Sequence, residues 1–241
     1  MKILVTNDDG VFSPVLPRLV RWAEQFGEVT TVAPKVEQSG KSHAIDFTRP
    51  IEIKKVTLDL GVEAYSMDST PADCVRYAVL GLKGKYDLVI SGINRGFNLG
   101  KDIVYSGTAG AIFEGARLGI KGVAISTDPK TFDVAVDYLD TLAKFFKDNK
   151  LFELNNLYNV NIPLEAKPIH FTKQGEIYFT DEFLRQEGDM FIQSGGIVVT
   201  DTNDLTLDTD CTQAGYVSIT PLTADRTNHA VLELLNKNKM R

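Results

Sequence analysis

Short runs of apolar residues alternate with amphipathic segments over the first two-thirds of the chain. Continuous apolar runs are typical of strands covered on both faces, whereas apolar residues spaced three or four positions apart are typical of helices. Buried strands are predicted at residues 3–7, 29–33, 87–91, 123–126 and 157–161. This alternation of strand and helix predicts an α/β fold with a doubly wound, mostly parallel sheet.

Three of the intervening helices are expected to begin at a Ser, Thr or Asp that is followed by Pro. Such a residue caps the free amides of the first helical turn, and Pro is favoured at the first helical position. The pairs are Ser13-Pro14, Thr70-Pro71 and Asp128-Pro129. They predict helices at 15–26, from 71 to about 82, and at 134–146.

Two regions depart from the alternation. Residues 43–67 contain extended segments at 51–53, 56–60 and 64–66, which predict a meander or an edge hairpin. After Pro163 the pattern becomes β-rich, with strands predicted at 169–172, 176–179, 190–193, 197–200 and 216–219. We interpret the chain as a single domain, residues 1–241. Its core spans about 1–163, and a β-rich arm and C-terminal helix span about 164–241.

The C-terminal helix is predicted at 228–239, with Ala230, Val231, Leu234 and Leu235 at helical spacing. An amphipathic helix at a chain end needs an apolar surface to pack on. That surface belongs either to the core of the same chain or to a second subunit.

Composition limits the classes of partner. The 241 residues, 43% of them hydrophobic, suffice for one large α/β domain, and the net charge of −6 argues against binding nucleic acid polymers or anionic membranes. The chain has two cysteines, Cys74 and Cys211, and no CxxC pair, which is typical of a reducing compartment. No apolar run approaches the roughly 20 residues of a membrane span, so we expect a cytoplasmic protein without a membrane partner.

Two adjacent carboxylates, Asp8 and Asp9, directly follow the first predicted strand in the segment Asn7-Asp8-Asp9-Gly10. Ligands of open α/β sheets bind at the carboxyl ends of the strands. No Lys or Arg occurs between Lys2 and Arg18, so the doublet indicates a divalent cation with oxygen ligands. The same four residues are also typical of an ordinary polar turn.

Two further oxygen donors follow predicted strands. Ser39 lies in Gln38-Ser39-Gly40, and Asn94 lies in the Gly- and Asn-rich segment 91–100. Each residue alone is more typical of a turn than of a metal site. The carboxyl ends of parallel strands meet at one edge of the sheet, however, and this edge would place both residues opposite Asp8 and Asp9.

The segment Ser106-Gly107-Thr108-Ala109-Gly110 opens a predicted helix at 111–118. Ser106 is a candidate N-cap, and free amides beside small residues at a helix N-terminus bind phosphate. An ordinary capped helix with two glycines for close packing explains the pattern equally well. The segment lacks the GK[ST] ending of a P-loop, and the chain has no GxGxxG, which argues against a dinucleotide cofactor.

Other catalytic groups have weaker support. The histidines His43, His170 and His229 are not spaced as zinc ligands, and no GxSxG indicates a covalent hydrolase. His43 is close enough in sequence to Ser39 to reach the same crevice, but a structural role fits its position as well.

The chain resembles the SurE family of metal-dependent nucleotidases and acid phosphatases. The matching segments are ILVTNDDG at 3–10, AP and QSG within 33–40, TPADCV at 70–75, SGINRGFNLGKDIVYSGTAGAIFEGA at 91–116, and GYVSITPL at 215–222. Ser69 stands where the family usually has Gly. The resemblance implies a Rossmann-like core and a homodimer or tetramer with an exchanged C-terminal segment.

The resemblance also implies hydrolysis of phosphate monoesters, with a nucleoside monophosphate as the substrate. One divalent ion per subunit, Mg²⁺, Mn²⁺ or Ca²⁺, would be held by Asp8, Asp9, Ser39 and Asn94. Asp8, Asp9 and Asn94 would also take part in catalysis, and Ser106, Gly107 and Thr108 would bind the phosphate. The sequence does not distinguish a 5′- from a 3′-nucleotide or from polyphosphate, nor Asp8 from Asp9 as general base.

Two other classes of protein compete with this interpretation. Receiver-like signalling domains also end their first strand in an acidic pair that binds Mg²⁺, but they are phosphorylated on an Asp. Here the corresponding later strand end offers Asn94 instead, and the chain is far longer than such a domain. A non-catalytic nucleotide-binding protein would not require adjacent carboxylates beside a phosphate pocket.

Overall fold

The computed structural model describes residues 1–199 and 202–239, and their side chains except those of 238 and 239. The strands are β1 Lys2–Thr6, β2 Glu28–Pro34, β3 Ile53–Thr57, β4 Glu63–Met67, β5 Leu88–Arg95, β6 Lys121–Thr127, β7 Leu157–Ile162, β8 Lys167–Phe171, β9 Phe179–Arg185, β10 Phe191–Ile197 and β11 Tyr216–Leu222. The α-helices are α1 Leu16–Ala23, α2 Pro71–Arg76, α3 Gly107–Arg117, α4 Asp133–Asp148, α5 Leu151–Leu154, α6 Asp208–Gln213 and α7 His229–Lys239. A π-helical turn, Tyr77–Gly81, continues α2.

Nine strands form one sheet in the order β3-β4-β2-β1-β5-β6-β7-β11-β8. The six strands from β4 to β7 are mutually parallel, so the predicted doubly wound α/β fold is confirmed. Strand β1 lies between β2 and β5 in the middle of this parallel part. Its carboxyl end therefore has a neighbouring strand end on each side, which is the arrangement that a shared site requires.

Helices cover both faces of the sheet. The side chains of β1 point alternately to the two faces, so β1 contributes to the core on each side. Leu4 faces the core formed with α2 and α3, where Val75 and Ile112 are fully buried. Ile3 and Val5 face the core formed with α1 and α4. Both cysteines are buried as expected, although no bond joins them.

The region 43–67 forms the expected edge hairpin. Two strands replace the three predicted extended segments, with β3 antiparallel to β4 and β4 parallel to β2. Leu60, at a φ of +60°, lies in the 3-10 turn Asp59–Gly61 between them. The second predicted segment, 56–60, therefore ends in a turn instead of continuing as a strand.

The C-terminal third divides into two parts. Strands β11 and β8 extend the main sheet, with β11 antiparallel to β7 and parallel to β8. Strands β9 and β10 form a separate antiparallel hairpin.

The predicted strand 176–179 is wrong, because β9 begins at Phe179. The segments 190–193 and 197–200 correspond to one strand, β10, and Thr200 lies outside the described residues. Gly195 and Gly196 interrupt the apolar pattern without interrupting the strand, in part because the Gly196 N–H donates to the Thr180 hydroxyl over 3.1 Å.

One of the three predicted helix caps is confirmed. Thr70 Oγ1 accepts the Asp73 N–H at the start of α2, with a distance of 3.2 Å. The Ser13 prediction is wrong, because α1 begins at Leu16 and the buried Ser13 hydroxyl has no hydrogen-bond partner among the residues that the structure describes. The Asp128 prediction is also wrong, since α4 begins at Asp133.

A different hydrogen bond precedes each of the two helices that lack the predicted cap. The Ser13 carbonyl, not its hydroxyl, accepts the Leu16 N–H over 3.1 Å, which makes 13–16 a turn before α1. At α4, Thr131 Oγ1 accepts the Asp133 N–H over 3.1 Å. No helix within the described ranges 1–199 and 202–239 is long and apolar enough to cross a membrane.

Candidate functional site

A cavity of about 630 Å³ opens at the carboxyl ends of the parallel strands. It brings together Asp8, Ser39, Asn94 and Ser106, which belong to four segments that are distant in sequence. Its remaining lining residues are Gly40, Arg95, Gly96, Phe97, Asn98, Leu99, Asp102, Tyr105, Phe179, Asp181 and Gln193. The structure therefore places most of the predicted site residues around one crevice.

The turn after β1 is shaped by Asn7 and Gly10. The Asn7 side chain donates to the Gly10 carbonyl over 2.9 Å and accepts the Gly10 N–H over 3.2 Å. Gly10 has a φ of +99°, which residues with a side chain rarely adopt. The segment is thus a polar turn, but Asn7 closes it, so the Asp8 and Asp9 carboxylates are left for other contacts.

Asp8 is the most enclosed acid of the site, with 4% of its surface exposed. Its Oδ1 accepts the Thr108 hydroxyl over 2.6 Å, and its carbonyl accepts the Gln38 N–H over 2.7 Å. Burial raises the pKa of the Asp8 carboxyl, although hydrogen bonds from Thr108 act in the opposite direction. Asp8 therefore connects β1 with both the Ser39 loop and α3.

Asp9 contacts the opposite side of the crevice, where its Oδ2 accepts the Arg95 N–H over 3.1 Å. Burial, together with the adjacent Asp8 charge, raises the pKa of Asp9 to about 7. In the part of the chain that the structure describes, neither aspartate forms an ion pair with a basic side chain. Two enclosed carboxylates without a cationic partner favour the binding of a cation between them.

Asn94 is oriented with its amide oxygen available. Its Nδ2 donates to the Gly96 carbonyl over 2.7 Å, which fixes the opposite direction for Oδ1. The loop behind it is held by Asn98, whose N–H donates to Asn161 Oδ1 over 2.9 Å and whose Nδ2 donates to Ser126 Oγ over 2.8 Å. The segment after β5 is thus fixed to β6 and β7.

Ser39 lies on an exposed loop, and its hydroxyl donates to Glu37 Oε1 over 2.6 Å. Its oxygen can still donate a lone pair to a cation. The charge of Glu37 adds to the effect of burial in raising the pKa values of Asp8 and Asp9. Glu37 thus contributes negative charge beside the site without lining the cavity, and sequence reasoning missed it because an exposed Glu in a loop carries no pattern.

The TPAD segment fixes the chain that follows Ser39. Thr70 Oγ1 donates to the Ala44 carbonyl over 2.7 Å, and Asp73 Oδ2 accepts the Asp46 N–H over 2.7 Å. The Ser69 hydroxyl also donates to Asp73 Oδ2, over 2.6 Å. Ser69, where the family usually has Gly, thus helps to hold the Asp73 carboxylate that contacts Asp46.

The N-terminus of α3 packs directly against Asp8. Ser106 is the N-cap, as predicted, and its Oγ accepts the Ala109 N–H over 3.0 Å. A Cβ placed on Gly107 would lie 3.1 Å from both Cβ and Oδ2 of Asp8, and one on Gly110 would lie 2.3 Å from the Ser42 carbonyl oxygen. The two glycines therefore serve close packing, while the helix still opens on the cavity at Ser106.

Thr108 occupies a different position from the one expected of a phosphate ligand. It is fully buried, it does not line the cavity, and its hydroxyl donates to Asp8. Thr108 thus contacts the Asp8 carboxylate and not the cavity in which the sequence predicts a phosphate. Arg95, in contrast, lines the cavity and was not singled out, although its guanidinium Nε donates to the Pro129 carbonyl over 2.9 Å.

His43 does not line the cavity. Its Nε2 lies 2.8 Å from Glu114 Oε2, and Glu114, 2% exposed, also accepts from Arg76 and Arg117 over 3.1 and 2.8 Å. The structure therefore supports the structural role that the sequence left open for His43.

The oxygen donors fit a hard divalent cation. Asp8 and Asp9 supply carboxylates, Asn94 directs its amide oxygen away from Gly96, and Ser39 supplies a hydroxyl. No group of three or more His, Cys, Asp or Glu side chains is arranged to hold a metal within residues 1–199 and 202–239. A centre at this edge therefore depends on the neutral oxygens of Ser39 and Asn94 as much as on the two acids.

Comparisons with known proteins agree with this architecture. The family model described as "Survival protein SurE" matches residues 3–181. Proteins named 5′-nucleotidase SurE from Natranaerobius thermophilus and Thermosipho melanesiensis are each 37% identical, over 98% of this chain and 98% and 97% of their own lengths. The crystal structure of the SurE protein from Aquifex aeolicus superposes with a TM-score of 0.79 at 32% identity, covering 99% of this chain and all of that one.

Proposed function

The chain belongs to the SurE family, and we propose that it is a metal-dependent 5′-nucleotidase, which hydrolyses nucleoside monophosphates to nucleosides and phosphate. The names of full-length relatives support the activity, and one contact carries the structural argument. This contact is the packing of the α3 N-terminus against Asp8, through Gly107 and the Thr108 hydroxyl. A helix N-terminus next to Asp8 supports the proposal that phosphate and a cation bind side by side.

The proposed cation ligands are Asp8, Asp9, Ser39 and Asn94. A divalent ion held by them would polarise a phosphoryl oxygen and lower the pKa of water. Mg²⁺, Mn²⁺ and Ca²⁺ all prefer oxygen ligands. We propose that the four residues hold one such ion in each subunit.

The proposed phosphate site consists of Ser106, Gly107 and Arg95. The Ser106 hydroxyl and the first amides of α3 would donate to the phosphate oxygens, and Arg95, which lines the cavity, would add positive charge. Thr108 orients the Asp8 carboxylate instead of touching the substrate. Either Asp8, which lines the cavity, or Asp9, whose carboxylate accepts the N–H of the lining residue Arg95, would accept the proton of the attacking water.

The receiver-like alternative is not favoured, because the relatives that match the full chain are named as nucleotidases. A receiver retains phosphate on an Asp, whereas a phosphatase releases it. Incubation with acetyl phosphate separates the two classes, since only the former yields a stably labelled protein. Activity on 3′-nucleotides and polyphosphate follows from the same phosphate site as a further proposal.

We also propose that the chain forms a homo-oligomer. Residues 223–237 are all exposed, including Val231, Leu232, Leu234 and Leu235 of α7. The β9–β10 hairpin exposes further large apolar side chains, among them Leu184 and Ile192 on the face opposite Phe179. Apolar surface of this extent is typical of a contact with a second copy.

The first prediction concerns release of phosphate from AMP. We expect turnover with Mg²⁺ or Mn²⁺, its loss after treatment with EDTA, and its recovery when the ion is restored. Asp8→Asn should lower kcat/KM by about 10³-fold or more, because it removes charge from a shared cation site. Asp137→Asn, on an exposed position of α4, serves as the matched control and should change the rate less than 2-fold.

Turnover that survives exhaustive chelation would exclude the metal mechanism. A loss of less than 10-fold for Asp8→Asn, in a variant whose melting temperature is unchanged, would remove Asp8 from the site.

A further inference from the structure

One wall of the cavity comes from outside the parallel core. Phe179 and Asp181 of β9 and Gln193 of β10 line the same cavity as Asp8 and Asn94. Its volume of about 630 Å³ is far larger than a cation and a phosphate group require, and it lies in the range of pockets that enclose small organic ligands. The hairpin therefore borders space that the rest of the substrate must fill.

The three side chains lie on one face of the hairpin. Phe179 and Asp181 are two residues apart on β9, so they point to the same side. Gln193 pairs with Phe183 in the antiparallel register, which places it on that side as well and diagonal to Asp181. The face thus carries one aromatic ring and two polar groups close together.

The start of the hairpin is fixed to the phosphate end of the cavity. Asp102 Oδ2 accepts the N–H groups of Tyr178 and Phe179 over 2.7 and 2.8 Å. Asp102 lies in the 3-10 helix Gly100–Tyr105, which leads directly into the Ser106 cap of α3. A single short segment therefore positions both the phosphate donors and the Phe179 ring.

A second set of contacts holds the same junction. The Lys101 N–H donates to the Glu176 carbonyl over 3.1 Å, and the side chains of these two residues form an ion pair. A Cβ on Gly100 would lie 1.8 Å from the Glu176 carbonyl oxygen, so the two backbones are in direct contact. The ring at position 179 is thus held at a defined distance from Ser106.

We propose that this face of the hairpin binds the nucleobase, that Phe179 stacks on its ring, and that Asp102 is the positioning residue that holds Phe179 in place. The inference rests on the proposed nucleotidase function. Phe179 lines the cavity and is 40% exposed, and its ring also contacts that of Tyr178 in a T-shaped arrangement with the centroids 4.8 Å apart. The exposed part of the ring is available for stacking. Asp181 accepts hydrogen bonds from amino and imino groups of a base edge, and Gln193 both donates and accepts.

The test compares AMP with ribose 5-phosphate, which keeps the phosphate and sugar but lacks the base. We expect Phe179→Ala to lower kcat/KM for AMP about 10-fold, mainly through KM, and to affect ribose 5-phosphate much less. Phe179→Tyr should retain most of the activity on AMP because it keeps the ring. Phe183→Ala removes an aromatic side chain from the same strand face outside the cavity, and it should leave both substrates unchanged.

Asp102 is tested with the same pair of substrates. Asp102→Ala removes the acceptor for two N–H groups and should raise KM for AMP as Phe179→Ala does. Asp102→Asn keeps an acceptor oxygen and should restore KM for AMP to near its original value. A residue with a merely structural role would lower the rates for both substrates together.

An equal loss for AMP and ribose 5-phosphate, or no loss for AMP, would overturn the assignment of the hairpin while the nucleotidase proposal stands. Failure of the unchanged protein to hydrolyse either compound in the presence of Mg²⁺ or Mn²⁺ would instead overturn the proposed function and this inference with it.

Discussion

Glu114 is almost completely buried, yet its surroundings keep it ionised. Burial alone raises the pKa of a carboxyl, but hydrogen bonds from His43, Arg117 and Arg76 outweigh this effect and lower the pKa of Glu114 to about 2. The cluster ties α3 to α2 and to the chain after Ser39. A single acid thus helps to hold three segments next to the candidate site.

The second prediction follows from this pKa. A carboxyl whose pKa is lower in the folded state stabilises the fold at a pH above its unfolded value of about 4.5, and that contribution is lost as the pH falls toward 2. Glu114→Gln leaves Arg76 and Arg117 without their acid and should cost about 3 kcal/mol at pH 7. The free energy of unfolding of the variant should also fall less steeply between pH 4.5 and 2.

Urea unfolding at several pH values measures both effects. Glu153→Gln, at an exposed position of α5, is the control and should reproduce the pH dependence of the unchanged protein. A Glu114→Gln variant that loses stability with acid as steeply as the control would contradict the cluster's role.

At the scale of elements, patterns predicted strand ends better than they predicted contacts between elements. Asp8 and Asn94 were placed together because parallel strands end at one edge of a sheet. The Thr108 hydroxyl bond to Asp8 and the Asp102 bonds to the hairpin depend on how closely one element approaches another. Sequence periodicity carries no information on that approach. The pattern of Ser, Thr or Asp before Pro predicts caps at Ser13 and Asp128 as well as at Thr70, and only Thr70 caps its helix.

The third prediction concerns the approach of α3 to β1. Gly107→Ala should lower kcat/KM by at least about 10-fold, because the added methyl group would lie 3.1 Å from Asp8 Oδ2 and must displace the carboxylate. Ala is a better helix former than Gly, so the melting temperature should fall by no more than a few degrees. A variant with full activity would show that Asp8 can shift without consequence for the reaction.

At the scale of the whole molecule, the central sheet and the C-terminal elements differ sharply in the burial of their apolar side chains. The central strands are buried on both faces, while the β9–β10 hairpin and α7 present apolar side chains to solvent. A hairpin that contacts a second copy of the chain on one side and the cavity on the other would connect assembly with the proposed base site.

The fourth prediction tests that assembly. The protein should have the mass of a dimer or tetramer by light scattering at micromolar concentration, and Leu234→Glu with Leu235→Glu should shift it toward the monomer, because two charges would be buried in the contact. Lys237→Glu, an exposed polar position on the same helix, should leave the mass unchanged. A monomeric parent protein, or an unchanged mass for the double variant, would refute the proposal.

The central position of β1 has a consequence for synthesis on the ribosome. Asp9 leaves the exit tunnel early, but the Arg95 amide that contacts its carboxylate is 86 residues further along the chain. At translation rates of about 5–20 residues per second, the nascent acidic doublet spends roughly 4–17 s without its neighbouring strand β5. A nascent chain that is released before residue 95 therefore contains both aspartates and cannot assemble the pocket.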